Sequence, residues 1–147
     1  MNIELGKNID TRELETKIQK FWDENNFWDN DVNSNKKSFC VMMPPPNVTG
    51  NLHMGHALDN VLPDIICRYK RMAGYDVLWQ PGTDHASIAT QLLVERDLSK
   101  RGINPHSLSL EEKLDCAWKW KADKGGQILN QLHILGITPV WNRERFT

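Results

Sequence analysis

The chain has 147 residues, enough for one ordinary domain, with 39% hydrophobic and 25% charged side chains and a formal net charge of −1. That charge excludes a global field for attracting nucleic acid, so any polyanion must be met by a local cluster such as Arg68-Tyr69-Lys70-Arg71. Cys40, Cys67 and Cys116, widely spaced and without a CxxC pair, argue against a disulfide framework or zinc knuckle; with no signal-peptide core and no membrane-length apolar run, a cytoplasmic protein is expected.

Asp10-Thr11-Arg12-Glu13 reads as a capping box, followed at helical spacing by Leu14, Ile18 and Phe21-Trp22, and Asn25-Asn26 should end that first helix. Asp29 to Lys37 is polar and turn-like, a surface loop or linker. Ser38 to Met43 reads as a buried strand closed by three prolines. From Ala57 to Ala73, Leu58, Val61, Leu62, Ile65, Ile66, Tyr69 and Met72 form a 3.6-period stripe, with Asp59, Asn60, Asp64, Arg68, Lys70 and Arg71 opposite. Pro63 should bend this helix and Gly74 should cap it.

Asp76 to Trp79 is a second strand, and the loop Gln80 to His85 leads into a helix pattern from about Ala86 to Lys100. Ser109-Leu110-Glu111-Glu112 is another capping box, opening a helix that reaches towards Leu135 with a weak point at Gly125-Gly126. The order strand–helix–strand–helix predicts a right-handed parallel βαβ unit. Two strands are too few for a parallel sheet, which is normally covered on both faces, so the chain is expected to be the opening portion of a larger nucleotide-binding domain. Trp118 and Trp120 read as core and surface stacking, and the three cysteines as small buried hydrophobes.

The junction between the first strand and the second helix carries the chemistry. Pro44-Pro45-Pro46-Asn47-Val48-Thr49-Gly50-Asn51-Leu52 leads into His53-Met54-Gly55-His56, so two imidazoles and a glycine fall at the first turn of a helix. Unpaired amides and the positive dipole end make such a place fit for phosphate, and glycine admits a close approach of ligand to backbone. A metal-binding or plain surface role is the bland alternative for His53 and His56, but zinc would want a third ligand. Asp84 and Asn47 could equally be turn residues bonding their own backbone, and Thr49 and Asn51 simple helix caps.

These blocks together resemble the amino-terminal part of a class I aminoacyl-tRNA synthetase, in the valyl-tRNA synthetase family. His53-Met54-Gly55-His56 matches the HIGH signature of the class, and Pro44 to Gly50 has the form of the preceding loop in the valine enzymes. Arg68 to Met72, Pro81-Gly82-Thr83-Asp84-His85-Ala86 and Gly125 to Leu129 fall in register, whereas Gln80, Ser87 and Pro63 depart from the family pattern; Ser87 stands where the family usually has glycine. The resemblance implies an α/β, partial Rossmann-like fold with parallel strands: a helical extension and linker over 1–37, then the first half of the catalytic domain over 38–147.

It also implies the reaction. ATP, carried with Mg2+, is attacked at its α-phosphate by the carboxylate of valine; pyrophosphate leaves, and the valyl group passes from the adenylate to the terminal ribose of tRNA(Val). By resemblance His53 and His56 are catalytic donors to the triphosphate, with Gly55 and Asn47 completing the ATP site. Pro44, Asn47 and Asp84 line the amino-acid side, Asp84 holding the ammonium group. No resident metal and no membrane contact are implied. The KMSKS loop of the class is missing, so the isolated chain is expected to be inactive and to need the remainder of the catalytic domain to complete its sheet. A small HxGH-type nucleotidyltransferase and a non-catalytic remnant or interaction module are the alternative functions.

Overall fold

The computed structural model describes residues 10–147; the first nine residues of the expected extension lie outside the described residues. Helix α1 (Thr11–Asn25) starts where Asp10 accepts from the amides of Arg12 and Glu13, and ends at Asn26 in the left-handed conformation, φ 49°. Strand β1 (Ser38–Met42) and strand β2 (Asp76–Gln80) pair in parallel, Ser38 opposite Asp76 through Met42 opposite Gln80, with helix α2 (Met54–Met72) as the crossover. Helix α3 (Ser87–Lys100) and helix α4 (Leu110–Ile134) follow. Both halves of the Ser109–Glu112 capping box form at the start of α4, which runs unbroken through Gly125-Gly126. Gly125 lies in α4 close to the prolyl loop, where an added Cβ would sit 3.8 Å from Val48.

Two further strands carry only two residues each and have no hydrophobic periodicity to announce them: β3 (Gly82–Thr83) and β4 (Arg145–Phe146), paired in parallel. Gly82 is the residue that lets them approach, because a Cβ there would stand 2.9 Å from the Arg145 carbonyl oxygen.

The core gathers Met43, Val48, Cys67, Val77, Trp79, Ile128, Leu132 and Ile137. Val77 and Trp79 lie on one face of β2, opposite Phe39 and Val41 of β1, so α2 and α4 cover that face. The other face stays open: Cys40 and Met42 are exposed. The expectation of a wholly buried first strand, and of Cys40 as a buried hydrophobe, is therefore corrected; of the three cysteines only Cys67 is buried. Burial pushes the Cys67 thiol up to about 11.

Helix α2 reverses the usual logic of an amphipathic stripe. Its buried residues are Asn60, Asp64 and Cys67, while Leu58, Leu62, Ile65, Ile66, Tyr69 and Met72 are exposed by half or more. Cys67 packs into the core and Asn60 Nδ2 donates to the His56 carbonyl, while Asp64 is drawn inward by the polar groups of 136–138. Asp64 accepts from the amide of Thr138 at 2.9 Å, from its hydroxyl and from Arg68 Nε at 2.7 Å, and Arg68 donates to the Gly136 carbonyl. Arg71 donates to the carbonyl and hydroxyl of Thr138. The Arg68 guanidinium also stands over the rings of Trp22 and Trp28 at 4.9 and 5.2 Å, which docks α1 although that helix buries no residue fully. Lys70 lies over Tyr75 at 4.6 Å. The guanidinium groups of Arg68 and Arg71 thus serve as internal ties.

Candidate active site

The loop from Pro44 to Leu52 is shaped from both sides. On one side it bridges to the segment after β3: the Asp84 amide donates to the Pro46 carbonyl and the Val48 amide to the Asp84 carbonyl, both at 2.9 Å, which places Asn47 beside Asp84. On the other side α4 holds it. Trp120 Nε1 donates to the Val48 carbonyl at 2.8 Å, and Gln131 Oε1 accepts from the Leu52 amide at 2.8 Å while its Nε2 donates to Asn51 at 3.3 Å. Pro46 and Val48 are buried; Pro44 and Asn47 remain exposed. Asn47 and Asp84 therefore sit together beyond the carboxyl ends of the strands, where open α/β sheets bind ligands.

That same edge holds the start of α2. The Gly55 amide donates to His53 Nδ1 at 3.1 Å, and the His53 amide donates to His56 Nδ1 at 3.2 Å, with the two ring centroids 3.9 Å apart. Each imidazole thus accepts through Nδ1, so each neutral ring carries its proton on Nε2 and keeps that N–H as a donor. Partial burial, then the neighbouring His53, push the His56 pKa below its ordinary value of 6.5, with Asp59 opposing. His53 is exposed and His56 half-buried, so neither ring has turned into the core. Two of the amides that the sequence assigned to a phosphate are instead occupied by the histidines. Gly55 has a second reason to be glycine: an added Cβ would lie 2.9 Å from Cε1 and 3.0 Å from Nδ1 of His53.

Asp84 is held below the usual carboxylate range, first by the hydroxyl of Thr147, against partial desolvation, with the Ala86 amide, the His85 ring and the His85 amide assisting. Ala86 and Ser87 follow with φ of 53° and 40°, left-handed positions with non-glycine residues at the entry to α3. A cavity of about 400 Å³ opens between α3 and α4, lined by Thr90, Val94 and Leu98 with His85, Ser87 and Phe146; Asn47, His53 and His56 do not line it. Among the described residues no group of three or more His, Cys, Asp or Glu could hold a metal ion.

Trp120, Gln131 and Thr147, which shape the loop and Asp84, were missed by sequence reasoning. The sequence marks Trp120 only as a stacking residue. Nothing in the spacing of the other two marks them, since they act across 79 and 63 positions of chain.

The family model for tRNA synthetases class I (I, L, M and V) matches residues 17–147. The chain belongs to the class I tRNA synthetases. It is 52% identical over 147 residues to a valine–tRNA ligase of Syntrophotalea carbinolica, covering all of this chain and 16% of that protein. It is 51% identical to valine–tRNA ligases of Geobacter sulfurreducens (98% of this chain, 16% of that one) and Thermus thermophilus (99% and 17%). Among solved structures, the LeuRS–tRNA–LeuAMS ternary complex from Agrobacterium radiobacter K84 matches with a TM-score of 0.75 at 26% identity, covering 95% of this chain and 16% of that one. The fold is thus the partial Rossmann-like α/β arrangement of this class, and the chain spans about a sixth of the length of the relatives it matches. No helix among the described residues is long and apolar enough to cross a membrane.

Proposed function

We propose that this synthetase chain supplies the ATP- and valine-binding edge of a valine–tRNA ligase, with 38–147 forming the first half of its catalytic domain and 1–37 an extension and linker. In this reading ATP arrives as its Mg2+ complex. A carboxylate oxygen of valine bonds to the α-phosphorus as the bond to the leaving pyrophosphate breaks, and a terminal ribose hydroxyl of tRNA(Val) then takes the valyl group, losing its proton as the acyl–phosphate bond breaks and AMP leaves. Phosphoryl and nucleotidyl transfers demand positioning and donors where negative charge builds up, more than covalent help from the protein.

The observation that carries the proposal is the pair of imidazoles whose Nδ1 atoms are tied to backbone amides, leaving two Nε2–H donors on the same edge as Asn47 and Asp84. His53 and His56 meet the triphosphate, Gly55 and Asn47 complete the nucleotide side, and Pro44, Asn47 and Asp84 receive the amino acid. The lowered Asp84 pKa keeps a carboxylate ready for the substrate ammonium. The exposed stripe of α2 and the open sheet face are surfaces that the remainder of a catalytic domain would cover.

The test is valine-dependent exchange of pyrophosphate into ATP by a full-length polypeptide carrying this segment, with isoleucine and leucine as controls. Exchange strongly favouring valine is expected, and none from the 147-residue chain alone. A correctly folded full-length polypeptide that shows no valine dependence would overturn the assignment, and turnover of ATP without any amino acid would favour a simple nucleotidyltransferase.

A further inference from the structure

We propose that Thr147 is a positioning residue for Asp84, an inference that rests on Asp84 receiving the amino acid's ammonium group. The Thr147 hydroxyl has one proton to give and two lone pairs. It accepts from the His85 amide at 3.2 Å, lies 3.0 Å from His85 Nδ1, and donates to Asp84 Oδ1 at 2.5 Å. With its proton given to the carboxylate, the hydroxyl must accept from His85 Nδ1, so all three of its bonding positions are used at once. His85 Nδ1 also stands 3.2 Å from the same Oδ1. Both side-chain contacts fall on Oδ1. Asp84 Oδ2 is left without a side-chain donor among the described residues and is available to an ammonium group.

The torsion that orients a carboxylate is broad, so an unassisted Asp84 would sample many directions. What fixes it comes from β4. Pairing of Gly82 with Arg145 and Thr83 with Phe146, continued by the Thr147 amide donating to the Thr83 carbonyl at 3.2 Å, sets the hydroxyl beside a carboxylate 63 residues away in sequence. The backbone of Asp84 is already tied to the prolyl loop. Main chain and side chain of one residue are thus held by two different segments, and amino-acid recognition becomes coupled to whether β4 is in place.

The experiment uses the full-length polypeptide and compares Thr147→Val, which keeps shape and removes the hydroxyl, with Thr147→Ser, which keeps the hydroxyl, and with Asp84→Asn. Thr147→Val is expected to raise KM for the amino acid roughly tenfold, the scale of one charge-assisted hydrogen bond, with kcat and KM for ATP within about twofold. Thr147→Ser should restore most of the loss, and Thr147→Val should add little to Asp84→Asn if both act through one carboxylate. If Asp84→Asn raises the amino-acid KM but Thr147→Val does not, the positioning role is wrong while the Asp84 reading stands. If Asp84→Asn leaves that KM unchanged, the reading of Asp84 itself falls. A Thr147→Val loss shared equally by both substrates and not rescued by serine would mark a merely structural residue and overturn the inference.

Discussion

His56 caps α2 with one nitrogen and is proposed to meet the triphosphate with the other, and its replacement separates the two. Nδ1 caps the helix by accepting from the His53 amide at 3.2 Å, a long bond that places the cap at the lower part of its usual range, about 0.5–1 kcal/mol. Nε2–H is the donor proposed to meet charge developing on the triphosphate, and losing one such donor typically costs about 10²–10³ in kcat. His56→Ala removes both. His56→Asn keeps an acceptor at the reach of Nδ1 but loses the distal donor, whereas His56→Gln keeps the cap, because glutamine at this third helical position reaches back to the N-cap amide as Glu112 does in α4, and carries an amide N–H that stands in part for Nε2–H. Adenylate formation should therefore fall by about two to three orders of magnitude in the Ala and Asn variants and recover in part with Gln, while the stability loss of about 0.5–1 kcal/mol appears in Ala but in neither Asn nor Gln. Exchange kinetics and thermal unfolding on the same samples read the two effects, with KM for valine staying within about threefold. Because the folded-state pKa is depressed below 6.5, the unfolded chain binds the proton more readily; the cap's contribution is complete above that pH and is lost as pH falls through the folded-state value. Full catalytic recovery by Asn, or equal losses in rate and valine binding, would refute the two-nitrogen account.

Ser87, at φ 40° where the family pattern has glycine, should be relieved by Ser87→Gly: removing about 1–2 kcal/mol of left-handed strain outweighs about 0.5–1 kcal/mol of added chain entropy, raising Tm by a few degrees. Asp64→Asn leaves an oxygen for Thr138 but sets an amide donor against Arg68 Nε, and denaturant unfolding should register a loss of about 2–4 kcal/mol; an unchanged midpoint would show that this half-buried ion pair contributes nothing. In the 147-residue chain by itself, iodoacetamide at pH 8 should modify exposed Cys40 and spare Cys67, whose thiol stays protonated and buried; mass spectrometry finding the reverse order would contradict the open sheet face.

The strand–helix–strand order, the ends of α1, α2 and α4, and the histidine pair at a helix start were all legible in the sequence, because each depends on neighbours within a few residues: a capping oxygen, a run of apolar spacing, a proline. The short strands β3 and β4 were not, since two residues carry no periodicity and their pairing depends on Gly82 meeting Arg145. The side of α2 that faces inward was not legible either. A 3.6-period stripe tells which residues share a face, not which face finds a partner, and here the carbonyls and amides of 136–138 claimed Asp64, Arg68 and Arg71.

By itself, then, the sequence determined the helices, the parallel crossover and the chemical types gathered at its carboxyl edge, through interactions that act along the chain at short range. Only the tertiary structure decided that Trp120 and Gln131 hold the prolyl loop, that both imidazoles turn Nδ1 to the backbone, and that Thr147 reaches Asp84. Those contacts join residues far apart in the chain or depend on ring orientation, and hydrogen bonds are selected by distance and angle in space, which linear spacing does not encode.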